Sequence, residues 1–204
     1  MNKRLTLFCL FSAALAGGVC AQQRQAVSPA QNPQQSAQPN PSFQASFLPD
    51  AAMYPSDQQI DGMTLSIWGQ NPQSAFALGL INGSTGESSG LSIGLINYAE
   101  SYSGVHWSFV NCAEKDFAGW QGGPIFLVFS AVNYAGGYMR GFQTGVVNLA
   151  GKFSGFQIGL VNYAQYADPG IQIGLINVIA QNSGWFTNCP EELAPGMVLV
   201  NWRF

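Results

Sequence analysis

An eight-residue phrase, written again and again, constrains this chain more than anything else in it. Gly155-Phe156-Gln157-Ile158-Gly159-Leu160-Val161-Asn162 is its clearest copy, and Gly170 to Asn177 repeats it almost letter for letter. Gly141 to Asn148 and Gly90 to Asn97 are further copies, with looser ones at Ala75 to Asn82, Gly104 to Asn111 and Phe126 to Asn133. Self-similarity at a short period means that one structural unit is laid beside copies of itself.

The closing asparagine serves as a ruler. It falls at Asn82, Asn97, Asn111, Asn133, Asn148, Asn162 and Asn177, in steps of 15, 14, 22, 15, 14 and 15 residues, and a looser eighth copy closes at Asn201. Such a unit holds a strand of about ten residues and a turn, and about ten residues carry a tilted strand across a bilayer core. Two glycines and several β-branched residues per unit disfavour helix. In one unbroken strand, Phe156, Ile158, Leu160 and Asn162 share a face, with Gln157, Gly159, Val161 and Tyr163 on the other. An apolar outside and a narrow inside relieved by glycine suit a small barrel. Strands buried on both faces read the same way.

Composition sharpens the choice. Only 8% of residues are charged and 47% are apolar, with 24 glycines in 204 residues. That is little charge for an ordinary hydrated surface. A net charge of −3 with no basic cluster beyond Lys3 and Arg4 argues against nucleic-acid binding.

Three segments follow. Residues 1–21 read as a signal peptide, with Lys3 and Arg4 before the apolar Leu5 to Leu15 and a small-residue site at Val19-Cys20-Ala21. Cys20 is a weak alternative as an acylated cysteine. Residues 22–60 are Gln/Pro-rich and aperiodic, and read as a disordered linker. Residues 61–204 are the repeat β domain.

Two all-β architectures fit that domain. The first is an antiparallel meander closed as a small outer-membrane β-barrel of about eight to ten strands. The alternative is a β-solenoid of 14–15-residue coils with Asn and Gly stacked in ladders. Low charge favours the barrel; the regular asparagine favours the solenoid. In the barrel, the long steps carrying Cys112-Ala113-Glu114-Lys115-Asp116 and Pro190-Glu191-Glu192 become outer loops on one rim. That placement pairs Cys112 with Cys189 in a disulfide, the only cysteines left after signal removal. The strand Val198, Val200, Trp202, Phe204 resembles the C-terminal signal of outer-membrane barrels, which implies recognition by the barrel-assembly machinery. If those side chains face lipid, Asn201 faces inward, against the face assigned to the other asparagines.

Little in the chain looks like chemistry. Gly90-Leu91-Ser92-Ile93-Gly94 matches a hydrolase nucleophile elbow, but Ser92 only fills the Gln slot of the repeat. His106, the single histidine, fills the same slot without an acidic neighbour in its strand. Glu114, Asp116, Glu191 and Glu192 read as solvated loop charges, with a calcium site as the sharper alternative. No catalytic residue, metal or cofactor is expected.

The phrase Gly-x-Gln-x-Gly-h-h-Asn, followed by Tyr-Ala at Tyr98-Ala99, Tyr134-Ala135 and Tyr163-Ala164, resembles a family of bacterial surface repeat-containing proteins over about residues 62–204. The resemblance implies an exported, cell-surface protein and brings no catalytic residues; with the barrel reading, the expected location is the outer membrane or cell surface of a double-membrane bacterium. The expected function is non-enzymatic, structural or adhesive through loops, with outer-membrane lipid as a partner. The alternative is a secreted or surface-attached solenoid that binds a partner or glycan along its faces.

Overall fold

A computed structural model describes residues 39–204; the expected signal peptide and the first part of the expected linker lie outside the described residues. The described chain is all-β. Its strands are β1 (Phe43–Leu48), β2 (Ala51–Ala52), β3 (Ile60–Asn71), β4 (Gln73–Ile93), β5 (Ile96–Trp107), β6 (Val110–Ala113), β7 (Phe117–Gly122), β8 (Ser130–Ile158), β9 (Val161–Ile179) and β10 (Gly196–Arg203).

The pairing decides the architecture. β3 pairs β4, β4 pairs β5, β5 pairs β6 and β7, both of these pair β8, and β8 pairs β9, every one of them parallel. Each residue lies beside its equivalent one unit later: Asn82 beside Asn97, Asn97 beside Asn111, Asn111 beside Asn133, Asn148 beside Asn162. The chain therefore winds as a β-solenoid of about eight turns. The antiparallel outer-membrane barrel is corrected, and the coil of 14–15 residues is the architecture formed. A unit that stacks on itself satisfies its backbone against the next coil, without a closed ring of strands.

Facing is corrected too. Gln157 and Asn162 are both buried, while Phe156 and Leu160 are exposed. One unbroken strand cannot do this. The chain bends at Gly159–Leu160, between β8 and β9, and the bend switches the alternation. Asn201 also points inward, so the apparent conflict over its face disappears.

The interior is narrow. One column stacks Ala99, Ala113, Ala135, Ala150 and Ala164; a second stacks Tyr102, Phe117, Met139, Phe153 and Ala167. A third is glycine at positive φ: Gly104, Gly119 and Gly141 lie in register at φ of 139°, 132° and 116°. A β-carbon at Gly141 would meet the carbonyl of Gly119, so only glycine lets the coils close there.

Both ends are capped. β10 runs antiparallel along β9, and β2 antiparallel along β1. Reversed strands break the repeat and deny another copy an in-register edge. The N-terminal cap corrects the boundary drawn at residue 61, because β1 lies within the expected linker and pairs β3 in parallel. Amides anchor it: Gln44 donates to the Tyr54 carbonyl at 2.9 Å and to Asn71 Oδ1 at 3.1 Å. Apolar content, the basis of the linker reading, does not register such an anchor.

Candidate functional site

The polar side chains of the repeat are consumed by the fold. Asn82, Asn97, Asn111, Asn133, Asn148, Asn162 and Asn177 form an unbroken amide ladder, each Nδ2 donating to the next Oδ1 at 2.8–3.4 Å. The second Nδ2 hydrogen goes to a backbone carbonyl, as from Asn148 to Ile158 at 2.9 Å. Gln121, Gln143, Gln157 and Gln172 make a parallel ladder with 2.7 Å steps. Buried amides are tolerable only when satisfied in this way. Asn201 does not extend the asparagine ladder; it donates to the carbonyls of Ala194 at 2.9 Å and Asn177 at 3.4 Å, closing the cap.

Ser92 and His106 sit in the glutamine column, as the repeat indicates. Ser92 Oγ donates to Asn97 Oδ1 at 3.0 Å, a structural bond. His106 is enclosed between Tyr102 and Phe117, with ring centroids 4.1 and 5.0 Å away. Burial alone pushes its pKa down to about 3, and burial pushes the Tyr102 hydroxyl up. Neither ring nitrogen of His106 has a hydrogen-bond partner, and no carboxylate is placed to activate it.

The remaining expected sites are not brought together. Cys112 is a buried thiol on β6 and Cys189 an exposed thiol in the C-terminal cap. Four ladder steps separate Asn111 from Asn177, roughly 19 Å at strand spacing, so the expected disulfide does not form. Glu114 and Asp116 lie in an ordinary coil, whereas Glu192 is buried in the cap with Arg203, Ser183 and Asn188. Among the described residues no group of His, Cys, Asp or Glu is arranged for a metal ion. Val198, Val200, Trp202 and Phe204 belong to the capping strand β10, with Val198 and Phe204 exposed.

What the repeat leaves free is its outside. None of the seven phrases contains Asp, Glu, Lys or Arg. Glu87, Glu100, Glu114, Lys115, Asp116, Arg140, Lys152 and Asp168 all fall in the segments that link one phrase to the next. There they pair across coils, Lys115 with Glu100 at 3.1 Å and Lys152 with Asp168 at 2.8 Å. These exposed contacts hold Asp168 below, and both lysines above, their ordinary values. Along the phrases the outward positions are large and apolar: Phe142 stacks on Phe156 at 5.5 Å, and Leu80, Leu95, Phe109, Leu160 and Leu175 line the bend.

One coil departs from the others. The 22-residue step from Asn111 to Asn133 does not carry its extra residues at the charged stretch. It carries them at the bend, where Gly123 to Phe129 are inserted as a projecting hairpin ahead of Ser130-Ala131, which fill the usual Gly-Leu pair. Ile125 and Phe129 bridge its base, and Phe126 and Leu127 at its tip are 88% and 75% exposed with φ of 51° and 68°. Between this hairpin and the bend runs a groove of about 370 Å³ lined by Ile125, Phe126, Phe129, Val146, Leu160 and Ile173. The signal was in the sequence: Pro124-Ile125-Phe126-Leu127-Val128-Phe129 is an apolar run inside the one overlong unit. Its lack of turn residues hid the turn.

No family model matches the chain, and no curated protein or solved structure matches it either.

Proposed function

We propose that this protein is a non-enzymatic, exported β-solenoid that holds a partner along its outer sides. One observation carries the reading: every charged side chain of the repeat region is kept out of the phrases, whose outward positions are apolar in coil after coil. Folding does not require this, because an exposed strand position accepts polar residues readily. An exposed apolar surface of this extent marks an interaction site. Inside, the functional groups are engaged in ladders, which leaves the lateral surface as the working part. The leader-like first 21 residues and the resemblance to bacterial surface repeat proteins support export and a cell-surface location.

The test is labelling of intact cells with a membrane-impermeant amine or thiol reagent, followed by recovery of the protein. Lys115 and Cys189 are exposed and should react. Recovery of unlabelled protein from the cytosolic fraction would overturn the reading.

A further inference from the structure

We infer that the bend of the solenoid and the Phe126–Leu127 hairpin insert together into the acyl layer of a lipid surface, an inference that rests on the lateral-binding reading above. The bend is a continuous apolar ridge. Backbone bonds run directly along it, from Leu95 to Leu80, Phe109 to Leu95 and Ala131 to Phe109, and from Leu160 to Val146. Ile67 occupies the same position in the first coil, because its neighbours Ser66 and Trp68 pair with Gly79 and Ile81. Ile67, Leu80, Leu95, Phe109, Ala131, Val146, Leu160, Leu175 and Leu199 then make nine rungs, about 38 Å at strand spacing.

Leu199 is the informative rung. It lies on β10, which runs against the repeat, yet it pairs with Gly174 at the bend. It does so at a φ of 69° and is 68% exposed. A leucine is strained at positive φ, and solvent alone would favour glycine or asparagine there. The ridge thus continues across an element that does not share the repeat, as a surface acting along the whole edge would require.

The chemistry of the ridge selects the occupant. Its nine rungs are all apolar, with no side-chain donor or acceptor among them. Acyl chains ask for none. A protein partner would need a polar rim to hydrogen-bond with, and the amides of these phrases are turned inward. The hairpin rises from the ridge itself, carries no charge, and holds Phe126 and Leu127 outward in strained backbone. The groove beside it accepts an acyl segment. Charges of both signs remain in the linking segments, with no basic cluster, so the contact is with hydrocarbon and not with anionic headgroups.

The experiment is flotation of the processed chain, beginning at Gln22, with vesicles of pure phosphatidylcholine at low and high salt. The chain should float equally at both. Tryptophan emission, with Trp107 and Trp120 beside the ridge, should be quenched by lipids brominated in their acyl chains. Phe126→Asn with Leu127→Gly places the residues a tight hairpin turn prefers at the tip, so it keeps the fold, and it should weaken partitioning at least about tenfold. Leu95→Glu with Leu160→Glu, at two exposed rungs, should do the same with unchanged circular dichroism. Failure to float, flotation only with anionic lipid at low salt, wild-type flotation by both variants, or a solution dimer that does not bind vesicles would each overturn the inference. Surface labelling without flotation removes only the lipid step; absence of labelling removes the functional reading whatever the vesicles show.

Discussion

His106 lies in register with Gln121 on the next coil, yet neither of its ring nitrogens makes a hydrogen bond. The glutamine ladder therefore stops at Gln121, whose Nε2 finds only the Tyr134 carbonyl at 3.3 Å. A buried neutral imidazole makes stability depend on pH. Its pKa is about 3 in the folded chain against 6.5 unfolded. Between those values the unfolded chain binds the extra proton, so stability is complete above about pH 6.5 and falls as pH drops toward 3, by at most about 1.4 kcal/mol per pH unit. His106→Gln should remove that slope and lengthen the ladder, adding about 1 kcal/mol at neutral pH. Urea titrations at several pH values check both effects.

The asparagine ladder should fail hardest in its middle. Asn133 accepts from Asn111 at 2.9 Å and donates to Asn148 at 2.8 Å and to the Thr144 carbonyl at 3.0 Å. Asn133→Ala leaves those buried groups short of partners, at a cost of about 3 kcal/mol or more. Asn177 ends the ladder and donates only to the Gly174 carbonyl at 2.8 Å, so Asn177→Ala should cost clearly less. Thermal melts of the two variants set the order, and equal losses would show that the ladder does not act as a chain.

Much of this fold was legible, and the illegible parts share a cause. The coil length and the Gln and Asn slots follow from the repeat alone. Facing did not, because the bend at Gly159–Leu160 breaks the two-residue alternation without any proline or turn motif to announce it. Barrel and solenoid were not separable by composition, since an apolar outside suits both. The strand Phe43–Leu48 was hidden because amide bonds from Gln44 secure it. At the surface, the absence of charge from the phrases was readable; its gathering along one bend, and the hairpin that rises there, needed the winding of the chain.

Glycine tolerance should differ sharply along the chain. Gly141 has a φ of 116° and faces the Gly119 carbonyl where a methyl would stand. Gly141→Ala should prevent coils on either side from closing, and the protein should lose most of its cooperative melt. At Gly196 a methyl would meet nothing within 4 Å, and φ is not positive there, so Gly196→Ala should stay within about 0.5 kcal/mol of the parent. A tolerated Gly141→Ala would contradict the stacking described.

Thiol counting checks the correction of the expected disulfide. Of the two cysteines among the described residues, Cys189 is exposed and Cys112 buried. One thiol should react quickly with a maleimide in the native protein and both after unfolding, with no reductant needed. A native protein in which neither thiol reacts until reduction would restore the bridge.

The hairpin tip should be a place where stability and binding oppose each other. Phe126 and Leu127 both have positive φ, and the Val128 amide donates back to the Ile125 carbonyl at 3.3 Å, the pattern of a type I′ turn. Phenylalanine and leucine are poor residues for that backbone, each costing about 1–2 kcal/mol relative to glycine. Their side chains lose nothing to a neighbour when exposed to this degree. Phe126→Asn with Leu127→Gly should therefore raise the melting temperature by several degrees, at roughly 2–4 °C per kcal/mol for a chain of this size. A variant that is more stable and no longer binds would show the strain is maintained for the surface it presents. A variant that melts lower would mean the tip packs against its own chain, and differential scanning calorimetry separates the two.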